Sequence, residues 1–374
     1  MSERTPRRIL MSADAVGGVF TYALRLGVLL TSRGIEVHLA TMGPRPNDDQ
    51  RRAVRQAGMV LHESDYRLEW MEAPWQDVDQ ASDWLLGLER AIEPDIVHLN
   101  GYCHADLPWR VPVVVVAHSC VLSWWRAVHG EKAPREWDEY RRRVRRGLDA
   151  ASLVMAPTRA MLRCLEREYG ALPRAVVVPH GEPAQDSTDT RHRSDFILSA
   201  GRLWDEAKNV AALVAVAERV PFPVVVAGAD QLDGNKGTPI QGIRHLGVLT
   251  PVALRHWMSR AAIYALPARY EPFGLSVLEA AHAGCALVLG DIESLRELWE
   301  GAALFVPPND HDALAEELTL LCRNRFLRQR LARRALARAR TFRPSDMVEA
   351  YLREYAGLLR ADGGAAPRRT PASV

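Results

Sequence analysis

The sequence has few cysteines, almost no net charge and no long apolar run, and each shortage excludes a class of protein. The five cysteines among 374 residues are scattered, odd in number and without metal-ligand spacing, so neither a disulfide framework nor a cysteine-bound zinc site is expected. A formal net charge of +2 argues against a dedicated nucleic-acid binder. No apolar run reaches the roughly 20 residues of a membrane-spanning helix. The apolar run at residues 9–11 is too short for a signal peptide, so we expect a cytoplasmic protein.

The length and composition indicate two globular domains. A chain of 374 residues, 48% hydrophobic and 25% charged, is too long for one ordinary core. Short apolar strands alternate with helical patterns in both halves, which is typical of parallel sheets with crossover helices. The predicted strands are 8–13, 36–40, 96–99, 113–117, 153–156 and 175–178, then 196–200, 224–228, 263–266, 286–290 and 303–306. The predicted helices are 20–33, 80–92, 136–150, 158–169, 310–324 and 326–341.

Composition also predicts the domain boundaries. Residues 181–194 are polar, contain Pro183 and lack periodicity, which is typical of a linker. The domains are therefore predicted at 1–180 and 181–344. A final amphipathic helix over 345–360 carries Met347, Tyr351 and Tyr355 on one face. The tail 361–374, rich in Gly, Pro, Ala and Arg, is predicted to be disordered.

The most informative segment runs from Glu271 to Glu279. Its two glutamates stand eight positions apart, with Gly274 between them and an apolar helix pattern through the second. An ionised carboxylate accepts hydrogen bonds, as sugar hydroxyls require. Gly274 allows close approach of the backbone to a ligand, and the amides that open the helix can face an anion. The segment therefore predicts one half of a nucleotide-sugar pocket; a plain strand–turn–helix with two surface glutamates is the alternative.

This segment resembles the Glu-x7-Glu signature of retaining glycosyltransferases of family 4. Further similarity lies in Leu266-Pro267 and in residues 280–284 and 302–308, and it extends from Gly17 to about residue 359. The resemblance implies an α/β protein of the GT-B fold, with two Rossmann-like domains facing across a cleft. It also implies that the last helix packs back across the N-terminal domain.

Two glycines follow the first predicted strand, at Gly17 and Gly18. Paired glycines at a helix N-terminus allow a tight turn and leave amides free for an anion, although a simple structural turn is the alternative. The resemblance implies that this loop faces the donor phosphate, and the sequence departs from the family in lacking a proline-rich approach to it. No Gly-x-Gly-x-x-Gly follows the strand, which disfavours a dinucleotide oxidoreductase.

The resemblance places Arg202 and Lys208 on the donor diphosphate. Arg202 can bind phosphate oxygens through two N–H groups, and Lys208 acts as a compact charge, so both would stabilise the nucleoside diphosphate as it leaves. Many relatives have one residue fewer between the two cations, and a solvated basic pair is the alternative.

With this pair a catalytic metal is unnecessary. The two Asp-x-Asp sequences, at 77–79 and 310–312, directly precede helical patterns, where Asp serves as an N-cap. We therefore predict no metal ion.

The remaining donor residues also follow from the resemblance. His118, at the end of a predicted strand, would lie beside the transferred sugar and donate a hydrogen bond to it. A purely structural histidine is the alternative at this position. Glu279 would bind the ribose, and Val248 lies in the segment that meets the nucleobase. Glu271 would hold the sugar together with the backbone of Phe273, Gly274, Leu275 and Ser276.

The acceptor side carries weaker signals. Trp124, Trp125 and Arg126 follow His118, and aromatic faces beside an arginine suit sugar stacking or a polar acceptor; core packing is the alternative. The run from Arg141 to Arg146 predicts a cationic helix face that could contact anionic lipid headgroups at the inner face of the membrane, with a solvated helix face as the alternative.

Together these observations predict a metal-independent glycosyltransferase, and the resemblance implies that it retains the anomeric configuration. The donor would be a nucleotide-diphosphate sugar, and the acceptor a hydroxyl of a saccharide, a lipid-linked saccharide or a small molecule. No carboxylate stands out as a nucleophile, which favours front-face attack with the leaving phosphate accepting the proton. A nucleotide-sugar epimerase of the same fold and a non-catalytic nucleotide-sugar binding protein remain alternatives.

Overall fold

The computed structural model describes residues 5–183, 193–231 and 242–362, and these form two parallel sheets with helices on both faces. The first sheet has the order β3-β2-β1-β4-β5-β6-β7 and the second the order β10-β9-β8-β11-β12-β13. The strands of the first sheet are β1 (Arg8–Asp14), β2 (Glu36–Met42), β3 (Val60–Glu63), β4 (Ile96–Leu99), β5 (Val113–Val116), β6 (Leu153–Ala156) and β7 (Ala175–Val177). Those of the second are β8 (Ser194–Ala200), β9 (Val224–Ala227), β10 (Arg244–His245), β11 (Ala261–Leu266), β12 (Ala286–Gly290) and β13 (Leu304–Val306). Both sheets thus have the doubly wound order in which ligands bind beyond the carboxyl ends of the strands.

The helices connect successive strands and cover the sheets. In the first domain they are α1 (Gly18–Thr31), α2 (Asp48–Gln56), α3 (Trp75–Ile92), α4 (Val121–His129), α5 (Asp138–Ala150) and α6 (Arg159–Tyr169). In the second they are α7 (Val210–Val216), α8 (Pro251–Arg260), α9 (Leu275–His282), α10 (Glu293–Trp299), α11 (His311–Arg323) and α12 (Arg325–Ala339), followed by the last helix, α13 (Pro344–Asp362). Within the described ranges, no helix is both long and apolar enough to cross a membrane.

The predicted pair of Rossmann-like domains is confirmed, while several local predictions need correction. The edge strand β3 was not predicted, because its residues are only partly buried and show little alternation. Helix α3 begins at Trp75 after the N-cap Pro74, since its buried face extends further toward the N-terminus than expected. Asp77 and Asp79 therefore lie inside the helix, and their prediction as caps was wrong. Asp310 does cap α11, accepting a hydrogen bond of 2.9 Å from the amide of Ala313.

The last helix packs against the first domain, as predicted. Met347, Tyr351 and Tyr355 are buried in a core that also contains β1, α1 and β4. The hydroxyl of Tyr22 donates to that of Tyr351 at 2.6 Å, and Tyr355 Oη lies 2.6 Å from His98 Nδ1. These contacts fix α13 across the N-terminal sheet.

The predicted domain limits fall partly outside the described residues. Of the predicted linker, residues 184–192 are outside, and Ser194 already begins β8. Of the predicted tail, residues 361 and 362 belong to α13, and 363–374 are outside. The boundaries at 180 and 344 stay predictions.

A seam of contacts joins the domains beside the cleft. Tyr270, from the second domain, is buried in the core of the first, where its hydroxyl accepts a hydrogen bond from the amide of Cys120 at 3.1 Å. Thr158 Oγ1 donates to the carbonyl oxygen of Pro272 at 3.0 Å. Glu297 accepts from the amides of residues 159 and 160, at the N-terminus of α6, at 2.9 Å each. The chain on both sides of Glu271 is therefore anchored to the opposite domain.

Candidate active site

The turn between β11 and α9 fixes Glu271 at the edge of the cleft. Gly274 has a φ of +86° and precedes the first residue of α9. Its amide donates to Glu271 Oε1 at 3.0 Å, which satisfies one of the unpaired amides at the helix start. A Cβ atom at Gly274 would lie only 3.1 Å from Val277 Cγ2. Space and the left-handed backbone conformation therefore both favour glycine here.

Lys208 forms a short ion pair with Glu271. It ends a 3₁₀ turn, Glu206–Lys208, beyond the carboxyl end of β8. Lys208 Nζ lies 2.6 Å from Glu271 Oε2, and the two side chains are 15% and 12% exposed. The structure thus joins two residues that the sequence placed in one pocket, 63 positions apart.

Arg202 is oriented by Asp205 and reaches across the cleft. Arg202 Nη2 donates to Asp205 Oδ2 at 2.9 Å, and the indole N–H of Trp124 donates to Asp205 Oδ1 at 2.9 Å. Burial would raise the pKa of Asp205, but Lys208, Arg202 and the hydrogen bond from Trp124 together lower it. Asp205 is therefore ionised at neutral pH, and it links the two cations to a tryptophan of the first domain.

The glycine loop lies directly opposite these residues. Gly17 has a φ of +79° and a ψ of −139°, and a Cβ atom on it would lie 3.6 Å from Arg202 Nη1. A Cβ atom on Gly18 would lie 3.6 Å from Leu275 Cδ1, in the first turn of α9. Beside this loop, burial raises the pKa of Asp14 to about 7, although Arg202 and the amide of Val16 oppose the shift. The Gly17–Gly18 loop and Arg202, both predicted to contact the donor phosphate, thus lie on opposite sides of the same part of the cleft.

His118 lies at the floor of the cleft, beyond the end of β5. Its Nε2 atom is 2.8 Å from Asn100 Oδ1. Because the Asn100 amide nitrogen donates to the carbonyl oxygen of Ser12 at 2.6 Å, the oxygen faces His118 and the Nε2–H of His118 is the donor. Burial, with His180 and His98 nearby, holds the pKa of His118 well below its usual range.

The neutral ring of His118 therefore offers Nδ1 as an acceptor. Its role beside the sugar stays a prediction, but the expected direction of the hydrogen bond changes. A ligand hydroxyl would donate to Nδ1, instead of accepting from the ring as the sequence analysis expected.

The side chain of Phe273 is buried, so only its backbone is available to a ligand. Its ring packs against those of His180, at 4.7 Å between centroids, and Phe342, at 5.8 Å. Burial and the nearby Arg25 lower the pKa of His180 to about 3. Leu275 and Ser276 follow in the first, partly buried turn of α9. The contact between the backbone of residues 273–276 and the donor stays a prediction.

Glu279 is held by a residue of the first domain that no sequence pattern predicted. Arg25, in α1, places Nη2 2.7 Å from Glu279 Oε1 and Nη1 2.5 Å from Glu182 Oε2. Burial raises the pKa of Glu182 to about 7, since Glu279 adds to the shift and Arg25 only partly opposes it. No local pattern marks Arg25, because its partners are distant in sequence.

The other predicted residues lie at or beyond the rim. Val248 is 76% exposed, so its side chain is open to a base, and its contact with one stays a prediction. Trp125 packs on His129 at 4.5 Å between ring centroids, and Arg126 Nε donates to Glu168 Oε1 at 2.6 Å. Among the three predicted acceptor residues, Trp124 donates to Asp205, which also binds Arg202. The acceptor role of all three stays a prediction.

The described part of the chain offers no set of side chains that could bind a metal ion in the cleft. Among the described residues, no three His, Cys, Asp or Glu side chains are arranged to hold a metal ion. All five cysteines are free thiols, and four of them are buried.

Two family models match the chain in succession. Residues 16–183 match the model described as Glycosyltransferase Family 4, and residues 182–338 match Glycosyl transferases group 1. The chain belongs to glycosyltransferase family 4. It is therefore a retaining glycosyltransferase that uses a nucleotide-sugar donor, and the epimerase and binding-protein alternatives are no longer favoured.

Two curated relatives are similar over most of the chain, and a third over a shorter part of it. A phosphatidyl-myo-inositol mannosyltransferase of Mycobacterium leprae is 23% identical over 92% of this chain and 94% of its own length. A D-inositol 3-phosphate glycosyltransferase of Corynebacterium efficiens is 27% identical over 87% of both chains. The O-antigen chain mannosyltransferase B of Escherichia coli is 28% identical, but the match spans only 36% of this chain and 39% of that protein.

Solved structures share the fold. A sucrose-phosphate synthase of Thermosynechococcus elongatus superposes with a TM-score of 0.79 and 16% identity, over 95% of this chain and all of that one. The Anabaena protein HepE in complex with UDP and glucose superposes with a TM-score of 0.72 and 15% identity, over 94% of this chain and all of the other. At these identities the likeness establishes the GT-B fold.

Proposed function

We propose that the cleft transfers a sugar from a nucleoside-diphosphate sugar to a hydroxyl acceptor without a metal ion. The observation that carries this proposal is the convergence of Arg202 and Lys208 on Asp205, with Arg202 facing Gly17. Arg202 Nε is buried without a hydrogen-bond partner among the described residues, and such a donor is costly unless a ligand satisfies it. A diphosphate between these groups would supply the acceptors, and both cations would stabilise the charge that develops on departure.

The ribose, the base and the transferred sugar of the donor are proposed to lie beside residues of the second domain. Glu279 would bind the ribose, and Val248 would lie beside the base. Glu271, fixed by Lys208 and the Gly274 amide, would accept hydrogen bonds from hydroxyls of the transferred sugar. On the side of the first domain, His118 Nδ1 would accept one more hydrogen bond from a hydroxyl of the sugar.

For the bond change we propose front-face attack. The acceptor oxygen would bond to the anomeric carbon as the bond to the diphosphate breaks, and the departing phosphate oxygen would take the acceptor proton. A sugar–enzyme adduct trapped on a carboxylate variant would contradict this mechanism.

The acceptor is proposed to be a small polyhydroxylated ring, free or linked to a lipid. Two of the relatives above are named for an inositol acceptor, and Asp14, Asn100 and His118 place polar atoms on the first-domain side of the cleft. A hydroxyl-rich acceptor suits such a surface because each polar group gains a hydrogen-bond partner.

Contact with a membrane stays a separate prediction. Every arginine between Arg141 and Arg146 has a carboxylate partner, and these partners are Asp138, Glu139, Asp79, Asp149 and Asp106. This pairing lowers the positive charge of the α5 face and so weakens its attraction to anionic lipid. Sedimentation with phosphatidylserine vesicles at low and high salt would test it.

The test of the proposed function measures melting and sugar transfer with a panel of UDP-, GDP- and ADP-sugars in EDTA. We expect one donor to stabilise the protein, by about 2.7 kcal/mol at a concentration 100 times its Kd. Lys208→Met should lose most of the protection, whereas Lys132→Met, at an exposed lysine, should retain it. Transfer that stops in EDTA and returns with Mg²⁺ would overturn the metal-independent mechanism.

A further inference from the structure

One guanidinium joins two carboxylates across the cleft. Arg25 comes from α1 in the first domain, Glu279 from α9 in the second, and Glu182 from the chain that passes between the two sheets. The ion-pair distances are 2.5 Å to Glu182 and 2.7 Å to Glu279, and the three side chains are 20%, 8% and 18% exposed, in the order Arg25, Glu182, Glu279. Partial burial makes these charges interact more strongly than they would at an open surface.

The contact uses one oxygen of Glu279 and leaves the other. Oε1 accepts from Arg25, and over the described ranges no donor is bonded to Oε2. A carboxylate held at one oxygen keeps its rotamer while the second oxygen still accepts hydrogen bonds. Arg25 therefore orients the group that the proposed function assigns to the ribose.

Glu182 keeps the guanidinium in this place. Its side chain is almost fully buried, so moving Arg25 away would leave a buried polar group without its partner, which is costly.

We propose that Arg25 is a positioning residue for the donor nucleotide: held by Glu182, it fixes the Glu279 carboxylate so that its free oxygen binds the ribose hydroxyls. The proposal rests on the proposed function, since it assigns the ribose to Glu279. It also makes nucleotide affinity depend on a residue of the first domain, so that the ribose site is complete only while the two domains face each other.

The experiment measures the Kd of UDP and GDP by calorimetry for wild type, Arg25→Gln and Arg25→Lys. For the nucleotide that binds wild type, we expect Arg25→Gln to raise the Kd about tenfold and Arg25→Lys about threefold. Lysine has the smaller effect because it keeps the positive charge but lacks the planar guanidinium that can bind both carboxylates at once. Inorganic pyrophosphate, which has no ribose, should bind all three proteins equally. Arg33→Gln is the matched control, since Arg33 follows the C-terminal end of the same helix and pairs with Glu349 at 2.5 Å in an exposed position.

A double variant tests whether Arg25 acts through Glu279. In a Glu279→Gln background, Arg25→Gln should change the Kd by less than about twofold, because the two residues act as one unit. If the two substitutions raised the Kd independently, so that the increase in the double variant equalled the product of the two single increases, the proposal would be overturned. So would unchanged or tighter binding in Arg25→Gln, since tighter binding would mean that Arg25 competes with the ribose.

The outcomes separate this proposal from the proposed function. If no nucleotide binds wild type, the donor site itself is misassigned, and the positioning role falls with it. If wild type binds and Arg25→Gln binds equally well, only the positioning role fails. Should Arg25→Gln fail to fold by circular dichroism, Arg25→Lys decides the same question.

Discussion

Replacing Glu271 with glutamine separates the charge of this residue from its hydrogen bond to the turn. Glutamine keeps an oxygen for the Gly274 amide, which now donates to Oε1 at 3.0 Å, but removes the negative charge that lies 2.6 Å from Lys208. Lys208 is then left partly buried without its partner.

The magnitude follows from burial. Breaking a fully buried ion pair costs about 3–5 kcal/mol, and at exposures of 15% and 12% solvent screens part of the cost. We expect Glu271→Gln to lower the free energy of unfolding by about 2 kcal/mol. Glu271→Ala also loses the turn hydrogen bond, worth about 1 kcal/mol.

Ligand binding should change in a different way from stability. Lys208, released from Glu271, becomes fully available to a diphosphate, so the Kd of the nucleoside diphosphate should stay equal or fall. Sugar transfer should drop about 100-fold or more, because a group that binds the sugar in the transition state is lost.

The assays are urea unfolding of the unliganded protein, calorimetry with the diphosphate, and transfer kinetics. Glu300→Gln is the control, because Glu300 pairs with Arg296 at 3.0 Å in the same domain while 67% exposed, where a pair is worth about 0–1 kcal/mol. The reasoning is refuted if Glu271→Gln unfolds like Glu300→Gln, or if it transfers sugar at the rate of wild type.

Three further predictions concern the contacts around the cleft. Tyr351→Phe removes the acceptor of the Tyr22 hydroxyl and should cost about 1–2 kcal/mol; a melting temperature equal to that of wild type would contradict this. Glu297→Ala frees two amides at the start of α6 and should cost about 1–2 kcal/mol, with faster proteolysis at the domain seam than in wild type. Because the pKa of Glu182 is raised to about 7 in the folded protein, this group stabilises the fold most below its unfolded pKa, and the contribution is lost as pH rises through about 7. As pH rises from about 5 to about 8, Glu182→Gln should therefore gain stability relative to wild type. If the difference between their free energies of unfolding in urea did not change with pH, the raised pKa of Glu182 would be contradicted.

Local features of the site were predictable because their causes are local. The turn at Gly274 needs a left-handed residue, and the cap at Asp310 needs a short acceptor before a helix, so both can be read from the sequence. The start of α3 was misplaced because helix ends are weakly marked when the cap is a proline. The hydrogen bond between His118 and Asn100 was not predicted, because Asn100 follows a different strand.

The sequence by itself determined the two alternating sheets and the extent of the last helix. It did so because hydrophobic periodicity and turn chemistry act over a few residues. Only the tertiary structure decided that Arg25 holds Glu279, 254 positions away, and that Tyr270 is buried in the core of the other domain. Such contacts depend on how two separately folded surfaces meet, and no local pattern specifies which charges or rings will face each other across a cleft.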